Sequence, residues 1–153
     1  MEKVSIFLQR QIEARILKEV TDGLFLNYKK EEILENIRAT IEKIAFEAGM
    51  EIRNSEDKHP LLTLKKHWEK LSEGSSLKIE QMEVTDSQMT FSVTNCKYAD
   101  FYKELDAADL GNTMSCCRDS AFLKGFSDDI KMERSKTIME GSSSCDFIYK
   151  LKK

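Results

Sequence analysis

Leu77-Lys78-Ile79-Glu80-Gln81-Met82-Glu83-Val84-Thr85-Asp86-Ser87-Gln88-Met89-Thr90-Phe91-Ser92-Val93 is the stretch in which the chain changes from a helical to an extended pattern. Leu77 and Ile79, then Met82 and Val84, alternate with polar residues. The phase slips near Glu80 and Gln81, as one extra residue in a strand would make it slip. Asp86-Ser87 supplies a turn, and Met89, Phe91 and Val93 alternate cleanly behind it, so the segment reads as an antiparallel hairpin.

Upstream the period is helical. Val4, Leu8, Ile12, Ile16 and Val20 recur at every fourth position, with Phe7 and Leu17 widening the stripe, which predicts an amphipathic helix ending near Gly23. Ile33, Ile37, Ile41, Ile44 and Ala48 write a second, opening after Asn27 as a cap, with Glu31 and Glu32 in its first turns, and stopping at Gly49. The two are expected to pack as an antiparallel pair. Pro60 suits the first turn of a third helix, with Leu61, Leu64, Trp68 and Leu71 on one face and Gly74 at its end, leaving residues 50–59 as a polar connector.

Downstream of the hairpin, Tyr98, Phe101, Tyr102 and Leu105 predict a short helix, and Leu110, Met114, Cys117 and Ala121 a longer one ending near Gly125. A strand over residues 130–139 starts with Ile130 and Met132 on one face but then puts Arg134 and Lys136 there, against the apolar pattern. The last strand places Cys145, Phe147, Tyr149 and Leu151 on one face, with Asp146 and Lys150 on the other. The expectation is an α+β fold in a single domain spanning residues 1–153. Its helical part (1–74) packs on a mainly antiparallel four-stranded sheet with inserted helices (75–153) that carries the cysteines.

Composition agrees. A chain of 153 residues, 41% hydrophobic and 33% charged, suits one soluble core. With 24 Lys and Arg against 27 Asp and Glu, the net charge of -3 offers no basic footprint for nucleic acid. No apolar run reaches the roughly 18 residues of a membrane span, and the N-terminal residues lack an export-signal pattern. The expected setting is cytoplasmic, where Cys96, Cys116, Cys117 and Cys145 are free thiols.

Thiolates are both nucleophiles and metal ligands, so the cysteines lead the search for chemistry. Their spacing contains no Cys-x-x-Cys, and neither histidine is near them in sequence. On a helix Cys117 joins the apolar stripe of Leu110, Met114 and Ala121, whereas Cys116 shares its side with Asp119, Ser120 and Leu123 and is the better chemical candidate. Asp119, one turn on, could bond a thiol, hold a water or orient a substrate amine, against the plainer reading of a solvated carboxylate. Arg134 and Arg118 offer forked donors to a carboxylate, against the plainer reading of surface ion pairs. Ser142, Ser143 and Ser144 read as a turn. His59 and His67 read as polar-surface residues at a helix start, and Glu13 and Arg15 as exposed. No phosphate-binding loop, nucleophile elbow or zincin helix is present.

The motifs Val93-Thr94-Asn95-Cys96-Lys97-Tyr98-Ala99, Ser115-Cys116-Cys117-Arg118-Asp119-Ser120-Ala121-Phe122, Gly125-Phe126, Arg134-Ser135-Lys136-Thr137-Ile138-Met139-Glu140-Gly141 and Cys145-Asp146-Phe147 follow one another. In that order they resemble the signature of the L-2-amino-thiazoline-4-carboxylic acid hydrolase family. Gln11-Ile12-Glu13-Ala14-Arg15-Ile16-Leu17 is similar to the family's opening helix, and Trp68 to its tryptophan before the first strand. Cys96, Cys116 and Cys145 fall on motif positions, as do Arg118, Asp119, Arg134, Thr137, Glu140 and Asp146; Cys117 falls on a variable one. The chain departs at Gly125-Phe126-Ser127-Asp128, where relatives often read Gly-Phe-Asn-Pro, and at Ile148, where a basic residue is common; both departures are expected at or beside the pocket.

The resemblance implies hydrolytic opening of a 2-aminothiazoline ring to N-carbamoyl-L-cysteine. On that basis Asp119 is expected as general base, with Cys116, Cys145 and Cys96 as nucleophile or ligands. Arg134 is expected to clamp the carboxylate, with Arg118, Thr137 and Glu140 also binding substrate. No cofactor is assigned; a divalent metal, if bound, would take Cys96, Cys116 and Cys145. The expected partners are a small-molecule substrate and, through the face from Val4 to Leu24, a second copy of the chain; nucleic acid and membrane are not expected. The alternative is a non-catalytic small-ligand or metal-binding module that keeps the family cysteines.

Overall fold

A computed structural model describes residues 4–53 and 59–153. The fold is α+β. Three helices, α1 (Ile6–Phe25), α2 (Lys30–Arg53) and α3 (Pro60–Leu71), precede the strands β1 (Leu77–Val84) and β2 (Gln88–Cys96). Helices α4 (Lys97–Glu104), α5 (Ala108–Gly111) and α6 (Cys117–Phe126) follow, then β3 (Ile130–Glu133) and β4 (Cys145–Leu151). The sheet has four strands in the order β1-β2-β4-β3, every neighbour antiparallel. Among the described residues no helix is long and apolar enough to cross a membrane.

The hairpin is built as its alternation predicts. Val84 pairs with Met89 across the Asp86-Ser87 turn, and the Thr85 amide donates to the Gln88 carbonyl at 2.8 Å. The phase slip is real: pairing is irregular between Glu80 and Glu83, and Gln81 takes the left-handed conformation with φ of 55°. On the buried face Met89, Phe91 and Val93 stand opposite Tyr149, Phe147 and Cys145. The Phe91 and Phe147 rings stack at 4.9 Å, Trp68 meets both edge-on at 4.8 and 4.6 Å, and the Trp68 indole N–H donates to the Tyr149 hydroxyl at 3.2 Å. Helix α3 is thereby seated on the sheet, with the one polar atom of its buried tryptophan satisfied.

Four expectations are corrected. The stripe Val4, Leu8, Ile12, Ile16 and Val20 on α1 does not face the core; all five are exposed, Ile16 to 64%. A spacing of four overshoots the helical repeat by about 40° at each step, so such a stripe winds off any one face. The inward side follows Phe7, Arg10, Ala14, Leu17 and Thr21 instead, at alternating intervals of three and four, with Ala14 and Thr21 buried.

Second, α2 does not stop at Gly49 but runs to Arg53, and it packs chiefly along α6 rather than α1. Gly49 is a contact point: a Cβ there would collide with the Phe122 carbonyl oxygen of α6, and one on Gly125 would collide with the Phe46 carbonyl oxygen of α2. The connector expected over residues 50–59 is therefore helix as far as Arg53, and residues 54–58 lie outside the described residues. Third, the helix expected around Leu110 to Ala121 is interrupted by a wide π turn, Asn112–Cys116. Fourth, β3 ends at Glu133. The chain then leaves the sheet, Lys136 is exposed, and the buried turn residues Thr137, Ile138 and Met139 replace the expected strand.

Gly49→Ala and Gly125→Ala separate these effects. Helix propensity alone would reward each by about 1 kcal/mol, but the carbonyl collisions predict a net loss of about 1–3 kcal/mol in urea denaturation. Ile16→Gln should change stability by no more than about 0.5 kcal/mol; a loss of several times that would mean the α1 stripe is covered in solution.

Candidate active site

The π turn lies immediately before the residues singled out for chemistry. One wide turn inserts a residue and rotates the rest of the helix, a feature common at functional sites. Its carbonyls are held by side chains. The Cys117 thiol donates to the Thr113 carbonyl at 2.8 Å, and the Arg118 Nε–H to the Met114 carbonyl at 2.7 Å. Cys117 is thereby buried as a core residue, as its helical face predicts.

Cys116, on the other side, opens onto a cavity of about 320 Å³ enclosed by α1, α2, α3, α6 and the sheet. Into this one cavity come Cys96, Cys116, Cys145, Arg118, Asp119 and Arg134. Cys96 caps α4, its sulfur accepting the Ala99 amide at 3.4 Å. Cys145 sits opposite Val93 and accepts the Ile138 amide at 3.2 Å. Thr137 and Glu140 lie outside the cavity lining: the Thr137 hydroxyl donates to the Glu140 carboxylate at 2.8 Å and accepts the Glu140 amide at 3.2 Å, closing the turn below Cys145. The structure thus does not bring these two, expected to bind substrate, to the cavity wall.

Asp119 and Arg134 form an ion pair at 2.6 Å, both side chains largely buried at 18% and 16% exposure. Arg134 also donates to the Cys116 carbonyl at 3.3 Å and lies over the Phe147 ring at 5.3 Å. Its position depends on Asp146, which accepts from the Ser135 amide at 2.9 Å, the Ser135 hydroxyl at 2.6 Å and the Lys136 amide at 2.9 Å, fixing the segment just after Arg134. Burial raises the Asp119 carboxyl to about 6, against the opposing pull of Arg134 and, more weakly, Arg118. Asp119 is therefore largely ionised at neutral pH, with its titration close to that range.

The thiols behave in the opposite way. Burial pushes Cys96 up to about 11 and lifts Cys145 as well; it raises Cys116 further still, helped by the charge of Asp119. All three are neutral at pH 7, so the cavity holds thiols and not thiolates. Among the described residues no three His, Cys, Asp or Glu side chains are grouped as they would be to hold a metal ion, Cys96, Cys116 and Cys145, the ligands named for a metal if one is bound, included.

Three cavity residues were missed or misread from sequence. His67, expected on a polar surface, lines the cavity and stacks on Phe122 at 3.8 Å; burial lowers it to about 4, so it is neutral. Its position three residues after Leu64 and four before Leu71 was the available signal. Arg10 and Gln9 of α1 line the cavity too, Arg10 because it lies on the inward 3-4 repeat. Glu13, expected exposed, is partly buried and bonded to both Gln9 and Arg10. Arg15 is exposed, and His59 and the three serines lie outside the cavity. So do the departures at Ser127, Asp128 and Ile148; Asp128 instead pairs with Arg53 at 2.8 Å.

A family model described as L-2-amino-thiazoline-4-carboxylic acid hydrolase matches residues 9–149. The chain belongs to that family. No curated protein and no solved structure matches it. In this L-2-amino-thiazoline-4-carboxylic acid hydrolase family member the match covers all the cavity residues discussed above, from Gln9 on α1 to Phe147 on β4, so the cavity is built from family sequence.

The electrostatics give a signed test. Carbon-detected NMR should place the Asp119 carboxyl titration near 6. Arg134→Met removes the main influence that opposes burial, so it should move the Asp119 titration upward; no movement, or a downward one, would show that the pair does not control this carboxylate.

Proposed function

We propose that this protein hydrolyses a small cyclic amidine-type substrate, opening a ring like that of L-2-amino-thiazoline-4-carboxylate. The single observation that carries the reading is Asp119: a carboxylate buried in a cavity of substrate size, held at 2.6 Å by Arg134 and raised by burial to about 6. Family membership supplies the reaction class.

The chemistry follows from what such a base can do. The ring carbon bonded to sulfur and to two nitrogens is electron-poor. Asp119 takes a proton from water as the water oxygen bonds to that carbon. The resulting tetrahedral centre collapses by breaking its carbon–sulfur bond, with the new oxygen becoming a urea carbonyl. Of the two protons of water, one ends on the former ring nitrogen and one on the departing sulfur, giving N-carbamoyl-L-cysteine with atoms and charge balanced. Arg134 keeps Asp119 ionised and oriented between proton transfers. The neutral thiols of Cys116, Cys96 and Cys145 act in this reading as a soft, weakly donating wall against the ring sulfur rather than as nucleophiles.

Purified, reduced protein incubated with L-2-amino-thiazoline-4-carboxylate should yield N-carbamoyl-cysteine by mass spectrometry. Asp119→Asn should lower kcat/KM by about 10²-fold or more, the range for loss of a positioned base, with an unchanged circular dichroism spectrum. Because the base must be ionised, kcat/KM should fall tenfold per pH unit as pH drops through about 6. Cys116→Ala should retain measurable turnover; complete loss would restore Cys116 as nucleophile. No turnover with any ring of this class would favour the non-catalytic binding module.

A further inference from the structure

The charges on the cavity wall do not cancel. Arg134 is matched by Asp119 in a close pair, and Lys70 by Glu51 in number, both of the latter also on the lining. That leaves Arg10 from α1 and Arg118 from α6, two guanidinium groups on the lining, against Glu13, which is not on it. Arg10 meets Glu13 at 2.8 Å and Arg118 meets the same carboxylate at 3.6 Å. Among the described residues these are the only ion pairs either arginine makes. The Arg118 side chain is 13% exposed and that of Arg10 26%, so the surplus positive charge is held away from bulk water. Burial and the neighbouring Arg10 charge both pull Arg118 below its usual range, and Glu13 is held below the carboxylate range by Arg10 and Gln9 in spite of its burial. Two cations of one sign, brought together in low dielectric with half the counter-charge they need, form a site for an anion.

We propose that Arg10 and Arg118 form an anion-binding subsite on the α1–α6 wall, and that it takes the carboxylate of the substrate, a task for which sequence reasoning offered Arg134 as the clamp and Arg118 as a further donor, without Arg10. The proposal deepens the hydrolase reading and rests on it for the identity of the ligand, but not for the existence of the subsite. Arg134 is committed to Asp119, the Cys116 carbonyl and the Phe147 ring, so capturing a second carboxylate would loosen the base it orients. Arg10 has no such commitment beyond Glu13, a partly exposed carboxylate that it shares with Arg118. Gln9 and Tyr98 line the same cavity, with the Gln9 amide donating to Glu13 at 2.9 Å. With the carboxylate held by Arg10 and Arg118, the ring is left to reach Asp119, the next residue along α6, and the thiols that line the same cavity.

The test uses Trp68, which lines the cavity and is the chain's one tryptophan, as a fluorescent reporter in the full chain. Under reducing conditions the protein is titrated with N-acetyl-L-cysteine and with its amide, a pair that differs in the anion and contains no ring to hydrolyse. Wild type should bind the acid at least tenfold more tightly than the amide. Arg10→Met should abolish that preference, and Glu13→Gln, which removes the competing carboxylate and leaves both arginines, should strengthen acid binding. The opposite signs of the two variants separate a binding role from general loss of structure. In turnover of L-2-amino-thiazoline-4-carboxylate, Arg10→Met should raise KM far more than it lowers kcat. A preference untouched by Arg10→Met but lost in Arg134→Met, or binding of neither compound, would overturn the subsite. An intact acid preference in a protein that opens no thiazoline ring would leave the subsite standing and overturn the hydrolase reading instead.

Discussion

Helices α2 and α6 lie so close that the backbone carbonyl of Phe122 occupies the place of a side chain on Gly49, and that of Phe46 the place of one on Gly125. No other residue type fits either position without moving a helix. The contact sets how deep α6 sits, and α6 carries Cys116 at its start and Asp119 in its first turn. It also brings the Ile44, Ala45, Ala48 and Ile52 side of α2 to the cavity, opposite the sheet. With the depth set in this way, the π turn before α6 determines rotation: Cys117 points into the core and Cys116 towards the cavity.

The same packing determines the chemistry through the dielectric. Four ionisable groups on the lining of the cavity, Asp119 and three thiols, are all shifted upward by burial. The consequences differ because their starting points differ. A carboxyl lifted from its usual range to about 6 still stays charged at neutral pH with Arg134 beside it. A thiol lifted from its usual range becomes less reactive. One environment therefore leaves the carboxylate charged and the thiols neutral at pH 7. Asp146, outside the cavity, sustains it by tying down the backbone that presents Arg134, a second layer of hydrogen bonds of the kind functional sites need.

Much of the architecture was legible in the chain. The hairpin, including its bulge and turn, followed from alternation, and the inward faces of β2 and β4 were both named because each strand has one apolar side. The assignment of Cys117 to the core and Cys116 to the cavity side followed from helical geometry. Strand β3 was read too long because Arg134 was taken as an anomaly within a strand, when it marks the residue at which the strand ends. The α1 stripe misled because a repeat of four looks regular in sequence yet drifts around a helix, while the true inward line includes an arginine and a threonine that hydrophobicity does not flag.

By itself, the sequence determined the class of fold, the pairing of apolar faces in the sheet, the family and the identity of the residues around Cys116 and Asp119. These are properties of local pattern: which side of a strand or helix is apolar is written in spacing a few residues long. Only the tertiary structure decided that Gln9, Arg10 and His67 line the cavity, that Thr137 and Glu140 do not, and that the thiols are neutral at pH 7 while Asp119 is charged. The physical reason is that a side chain's charge state and partners depend on what packs over it from distant parts of the chain, and on how completely that packing excludes water.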